Sequence, residues 1–504
     1  MIPAGQAATA ALLRRLAGHD PIETHISAVF VGAATVWKLR KAVRLPFLDF
    51  TDPAARQRAA LREFELNAPH APGLYRDVAT VRRRPDGTLA LDGPGAAIDW
   101  VVRMARVPEA DFLDAVAARD GLDAALLDAL GDQVAAYLAA APVVQADGLA
   151  AQTAMTEGNL RSARAAGVAE PALAAWGQAM RAELARRADW LRARADHGFV
   201  RRCHGDLHLG NICLWQGRPV PFDAVEFDEV IATGDVAYDL AFLLMDLEHR
   251  AGRAAANRVL ARYVARSGDW ALLNGLALFL AQKAMVRAHV EAARGRDAEA
   301  RAYLAMSLGY LHPTPAVVVA VGGLMGTGKT TLARALAPEL GRAPGALVLR
   351  SDELRKRQHG VAPEQRLPQS AYSAAAGQAV FAELMAAVAA VAAAGHAVIA
   401  DATWLDPAHR RAVRTAAAGV PFLGVWLQAP LAVLEARIAA RRDDASDATV
   451  AVLRAAARTA RPPAGWLAVD AQDAARALAT TRAALHRHPG PPPAAPAPTP
   501  PDCL

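Results

Sequence analysis

The chain has 504 residues, 53% of them hydrophobic, too long for one ordinary core and apolar enough to fill two or more. Its 56 basic and 50 acidic residues leave a formal charge of +6, a thin excess that suits an anionic small ligand without demanding nucleic acid. Three cysteines, Cys203, Cys213 and Cys503, exclude a disulfide scaffold and fit a reducing compartment.

The first apolar stretch is interrupted by Arg14 and Arg15, which argues against a signal peptide, so a cytoplasmic location is expected. Strand-like segments follow at 24–31, 35–39, 74–82 and 98–104, with a helix over 54–67 between them. The pattern from 109 to 196 is mostly helical. Short strands are expected at 199–203, 212–215 and 220–222, and helices again from 236 to about 310. A small sheet lobe followed by a larger helical lobe is implied.

His312-Pro313-Thr314-Pro315 reads as a seam, because two prolines stop helices and stiffen a short linker. Beyond it, strands at 316–321, 346–350, 397–400, 421–427 and 466–469 alternate with helices at 329–340, 369–393, 407–418, 431–441 and 446–458. That alternation implies a parallel sheet covered on both faces. The longest apolar run, 385–400, is broken by Gly395 and His396. It reads as a helix end, a turn and a buried strand, and no membrane association is expected. The division predicted is 1–311, 316–486 and a Pro-rich disordered tail over 487–504. The fold class expected is α+β for the first part and α/β for the second.

Gly323-Leu324-Met325-Gly326-Thr327-Gly328-Lys329-Thr330 is a complete phosphate-binding loop. It follows the apolar run 316–321 and precedes a helix-forming stretch that begins at Thr331, the context the motif requires. Glycines let backbone N–H groups close around phosphate oxygens, and the helix N-terminus adds positive potential. Lys329 can reach terminal phosphates and Thr330 can hold Mg²⁺. After the next strand, Asp352 sits where ligands meet an open α/β sheet, although it also suits a helix cap. On a helix, Arg355 shares its face. Asp352 can accept a proton from an acceptor hydroxyl, and Arg355 can orient that acceptor. Asp401 ends a later strand and is placed near Mg²⁺ or its waters. Arg437 and Arg441, spaced i, i+4, can face a transferring phosphoryl group from a lid-like segment, or simply form a solvated helix face.

A second nucleotide site is legible upstream. In Cys203-His204-Gly205-Asp206-Leu207-His208-Leu209-Gly210-Asn211, Asp206 and Asn211 have the spacing of a kinase catalytic loop, with the Asp as base and the Asn on Mg²⁺. Asp223 ends the next strand pair, where such enzymes place a second metal carboxylate. Lys38 lies on a predicted strand, with Glu63 or Glu65 on the following helix to steady it against α- and β-phosphates. Cys203, His204, His208 and Cys213 lack the paired spacing of a zinc site.

These stretches resemble the aminoglycoside-phosphotransferase-like kinase family, in the branch fused to a phosphate-loop kinase domain. The matching segments are Val36-Trp37-Lys38-Leu39-Arg40-Lys41, His204 to Asn211, Phe222-Asp223-Ala224-Val225-Glu226-Phe227 and Asp235-Val236-Ala237-Tyr238-Asp239-Leu240-Ala241-Phe242. The resemblance implies a bilobal protein-kinase-like fold and ATP-dependent phosphorylation of a hydroxyl. It gives Asp206 as base, Asn211 and Asp223 on magnesium, Lys38 at the phosphates and Asp239 as an anchor behind the loop. The one departure is that only Gly32, not a full glycine-rich loop, precedes Lys38. Ser351-Asp352-Glu353-Leu354-Arg355 resembles gluconate-kinase-like and polynucleotide kinases of the phosphate-loop class. The expected cofactors are ATP and Mg²⁺ and the expected partner is a small-molecule hydroxyl. A kinase for nucleic-acid ends, which would need a basic aromatic-lined channel, and a regulatory ATP-binding module stand as alternatives.

Overall fold

The computed structural model describes residues 1–45, 48–440 and 444–487. Packing divides the chain into two compact units, one of Met1–Ala151 with Leu191–Asp246, the other of Gln152–Trp190 with Leu247 onward.

The first unit holds an antiparallel six-stranded sheet, in spatial order Ile22–Glu23, Ser27–Val31, Thr35–Arg40, Ala96–Ala105, Tyr75–Arg83 and Leu89–Leu91. Side chains alternate between its faces. Phe30, Leu39, Val81 and Val101 pack against Leu12 and Leu13 of the helix Ala7–Ala17 on one face. Val36, Val102, Met104 and Tyr75 pack with Ala60 of the helix Pro53–Asn67 on the other. Lys38 pairs in register with Val102, so the pleat turns it toward that second helix. Asp52 caps the helix by accepting from Ala54 N, and Pro53 occupies its first position.

Further along this unit, Val200–Arg202 pairs antiparallel with Thr233–Asp235. Between them, Ile212–Trp215 and Arg218–Pro221 form a hairpin turned at Gln216 and Gly217, both at positive φ. The hairpin returns the chain to its start, and Phe222 N donates to Asn211 O at 3.0 Å. That is why positions 211 and 223 lie side by side.

The second unit contains the parallel five-stranded sheet, ordered Leu347–Arg350, Val398–Asp401, Val318–Gly323, Phe422–Gln428 and Leu467–Asp470. Val319, Val321, Val348, Ile399, Val425 and Leu427 join Leu332, Leu336, Ala477 and Ala484 from the helices Lys329–Leu336 and Ala474–Arg487. The helix Ala374–Ala393 packs on the strands Leu347–Arg350 and Val398–Asp401. Among the described residues it alone is long and apolar enough to cross a membrane, and it buries Val380, Leu384, Val388 and Val391. The helix Arg253–Ser267 belongs to this unit too. Its Asn257 Nδ2 donates to Ala346 O at 2.9 Å, and Arg262 pairs with Glu364 at 2.7 Å.

Some expected elements change: the helix expected over 369–393 is α-helical only from Ala374, after the 3₁₀ turn Gln369–Tyr372. The helix expected over 329–340 is α-helical only to Leu336, then tightens to a 3₁₀ turn, Ala337–Glu339, at Pro338. The helix expected from 446 starts at Val450, where Thr449 accepts from Val452 N as its cap. Ala474–Arg487 was not among the expected helices. Arg441 and the tail from 488 to 504 lie outside the described residues.

Candidate active sites

Gly323 ends the central strand at φ 135°, with Leu427 O only 2.4 Å from where a Cβ would stand, so only glycine fits there. Gly326 and Gly328 follow at φ 84° and 85° and complete the turn into the helix that begins at Lys329. Leu324 O accepts from Thr327 Oγ1 at 2.8 Å and from Lys329 Nζ at 3.1 Å, which folds the loop, Met325 included, onto the lysine. Thr330 Oγ1 donates to Asp401 Oδ2 at 2.5 Å. A hydroxyl and a carboxylate, both hard oxygen donors, therefore meet beside the phosphate loop, the set that suits Mg²⁺.

Asp352 opens the helix Ser351–Gln358. Burial pushes its carboxyl above the ordinary aspartate range, with Asp401 adding to the rise while Arg350, Lys329 and Ser446 oppose it. The arginine beside Asp352 is thus Arg350, not the expected Arg355. Arg350 also lies 3.6 Å from Asp401, 2.8 Å from Glu353 and 2.9 Å from Asp444. Arg355 turns elsewhere, donating to Ala371 O at 2.8 Å and stacking over the Tyr372 ring at 4.9 Å. It stands one turn from Asp352, but its guanidinium is engaged by the 3₁₀ segment Gln369–Tyr372. Arg437 donates to Ala471 O at 2.9 Å, Gln472 O at 3.0 Å and, at 3.4 Å, Gly326 O. It clamps the phosphate loop from behind and lines a cavity of 310 Å³ with Thr327, Gly328, Thr331, Leu427 and Leu478. The lining of that hollow beside the loop is mostly apolar.

The upstream site is also assembled within one unit. Lys38 Nζ pairs with Glu63 Oε1 at 2.8 Å and with Asp223. Burial pulls the Lys38 ammonium down, but Asp223 and Glu63 outweigh it and hold its value above the ordinary one. Conversely, burial raises the Asp223 carboxyl, and Lys38, Arg40 and His204 together more than reverse this. Asp223 sits at φ 62°, a strained left-handed conformation of the kind found at functional residues. Glu63 is fully buried, whereas Glu65 reaches only Arg62, 3.9 Å away at the surface. Asn211 Nδ2 donates to Asp206 Oδ2 and Asp206 O, both at 3.0 Å. Asp239 accepts from His204 N and Gly205 N at 3.0 Å each, and Asp246 from Leu209 N at 3.0 Å, so two carboxylates fix the loop backbone.

Arg40 and Glu226 had no assigned role in the sequence. Arg40 pairs with Glu63 at 2.5 Å and also with Glu226, extending the Lys38 network into the core. Their signal was present in two of the matching stretches, but nothing local showed that they would meet. The turn before Lys38 is a tight one, with Gly32 N donating to Thr35 O at 2.9 Å, and no glycine-rich loop stands there.

Residues 27–276 match the phosphotransferase enzyme family and residues 318–463 match an AAA domain. The uncharacterized protein Rv2004c of Mycobacterium tuberculosis is 31% identical over 466 residues, spanning 89% of this chain and 90% of the relative. The uncharacterized protein Mb2027c of Mycobacterium bovis matches to the same extent, 31% over 466 residues. Among solved structures, a gluconokinase from Sinorhizobium meliloti 1021 is 22% identical with a TM-score of 0.24, covering 35% of this chain and 94% of that one. A choline kinase from Cryptosporidium parvum Iowa II is 8% identical with a TM-score of 0.38, covering 60% and 94%. The GDP complex of aminoglycoside 2'-phosphotransferase-IIIa is 15% identical with a TM-score of 0.32, covering 58% and 90%.

Proposed function

The chain belongs to the family that includes these mycobacterial proteins, a phosphotransferase domain followed by an AAA-type phosphate-loop domain, and is a kinase with hydroxyl acceptors; on that premise we propose ATP- and Mg²⁺-dependent phosphoryl transfer to a small molecule at residues 323–330. The single observation that carries this reading is the 2.5 Å hydrogen bond between Thr330 and Asp401, which brings two magnesium-type oxygens to the start of the phosphate-loop helix. The main-chain amides of residues 323–328 hold phosphate oxygens, Lys329 neutralises charge on the terminal phosphates, and Thr331 with Arg437 borders the nucleotide pocket. Mg²⁺, when bound, draws charge from the phosphoryl oxygens. Asp352 accepts the acceptor's hydroxyl proton, and its raised value makes it a stronger base than an ordinary aspartate. Arg355 would orient the acceptor only after leaving Ala371 O.

We also infer a second kinase-type site within residues 1–311, with Asp206 as base, Asn211 and Asp223 as magnesium ligands, and Lys38, held by Glu63, on the phosphates. The functional division proposed is 1–311 and 316–486, in a cytoplasmic protein that needs neither nucleic acid nor membrane. A screen of sugars, aminoglycosides, nucleosides and oligonucleotides with labelled ATP tests this on wild type, Lys329→Ala and Asp206→Asn. Transfer to a small alcohol that falls about 100-fold or more in Lys329→Ala is expected. Transfer confined to oligonucleotides, or the absence of any acceptor whose phosphorylation Lys329→Ala lowers, would overturn the reading.

A further inference from the structure

The segment 444–447 lies along the helix Ser351–Gln358 in matching order. Asp444 pairs with Arg350 at 2.9 Å, Ser446 donates to the Asp352 carboxylate, and Asp447 pairs with Lys356 at 2.6 Å. Asp352 and Lys356 are four residues apart and share one face of the helix, so adjacent residues 446 and 447 can engage both. Asp447 Oδ2 gathers two more donors, the Tyr372 hydroxyl at 2.5 Å and Leu367 N at 3.1 Å. Lys356 is fully buried and also donates to Gln365 O at 2.5 Å. Burying an ammonium and a carboxylate together is a weak route to stability, and such pairs are better at fixing geometry.

We propose that Lys356, Asp447 and Tyr372 are positioning residues for phosphoryl transfer: they hold Ser446 against Asp352 and so aim that carboxylate at the acceptor hydroxyl. The proposal rests on Asp352 being the base of the phosphate-loop site. The groups facing Asp352 are Arg350, Lys329, Asp401, Ser446 and Tyr372, and Ser446 is the chain neighbour of Asp447.

The test uses full-length protein with MgATP as donor and water as acceptor. Asp447→Asn and Tyr372→Phe are expected to lower kcat about tenfold or more while KM for MgATP stays within about twofold. The double variant Lys356→Met with Asp447→Leu, which replaces the pair with apolar side chains, should recover the melting temperature but not kcat. Recovery of both would show a purely structural pair and overturn the proposal. Lys329→Ala run alongside tests the underlying site: full turnover there sinks the nucleotide-site reading. Hydrogen exchange at 444–449 judges the hold by itself. Faster exchange in Asp447→Asn supports it, and unchanged exchange overturns it whatever the turnover.

Discussion

Asp352 must be ionised to take a proton, yet its surroundings favour the neutral acid, and Arg350 is the largest charge working against that tendency. Activity should therefore fall as pH drops through the folded value of Asp352, and Arg350→Met should move that acid limb upward. A pH–rate profile checks it, and an unmoved limb would remove Arg350 from the site. Lys329, Thr330, Lys38, Asp206 and Asn211 were legible in the sequence because short spacings on a loop or strand fix their placement. Asp352 and Asp401 were legible because they end parallel strands. Arg350, Lys356 and Asp447 were not, since Arg350 and Lys356 meet carboxylates 94 and 91 residues away. A charged residue shows that it wants a partner, but only the fold-back of the chain chooses one. Helical spacing gives the face of Arg355, but its engagement by the later segment Gln369–Tyr372 has no local signal.

Four of the five strands of the parallel sheet could be read in advance because each is largely buried and appears as a continuous apolar run, whereas the edge strand Leu467–Asp470 is partly exposed. Gly322 and Gly424 within them are explained only by the structure, where Trp404, Trp426 and Trp466 press against the sheet. A Cβ on Gly424 would stand 2.4 Å from the Trp466 ring, so Gly424→Ala should destabilise the protein by about 1–3 kcal/mol, measured by urea unfolding. No loss would mean that the ring moves aside freely. The turn at Gly395 and His396, expected from sequence, leads His396 into the core just before the strand Val398–Asp401. Burial lowers its value from 6.5 to about 4, helped by Arg342 and Arg253. The folded state therefore disfavours the charged ring. The associated stability is complete above about pH 6.5 and is lost as pH falls toward about 4. Denaturation at pH 7.5 and pH 5 should show about 2 kcal/mol of acid sensitivity that His396→Gln removes. The helix Ala474–Arg487 escaped notice because its Ala, Arg and Thr pattern runs straight into the proline-rich end.

For the whole molecule, the seam at 312–315 and the compact units do not coincide. The sequence shows where a linker is stiff and where helices stop. It does not show which surface a helix such as Arg253–Ser267 will cover, because an apolar stripe names no partner. That helix caps the Gly341–Ala346 stretch through Arg253 and Asn257 and reaches Glu364 through Arg262. A fragment starting at residue 312 should thus melt at least about 5 °C below the full chain in calorimetry. An equal melting temperature would make the phosphate-loop domain self-sufficient. Two kinase-type sites on one chain also predict separable losses on mutation. The most direct measurement is a calorimetric titration of ATP, with and without Mg²⁺, into wild type, Lys329→Ala and Asp206→Asn. A magnesium-dependent binding heat that loses one of its components in Lys329→Ala and is kept whole in Asp206→Asn is the predicted result; the same heat in Lys329→Ala as in wild type, or none in wild type, would contradict a nucleotide site at residues 323–330.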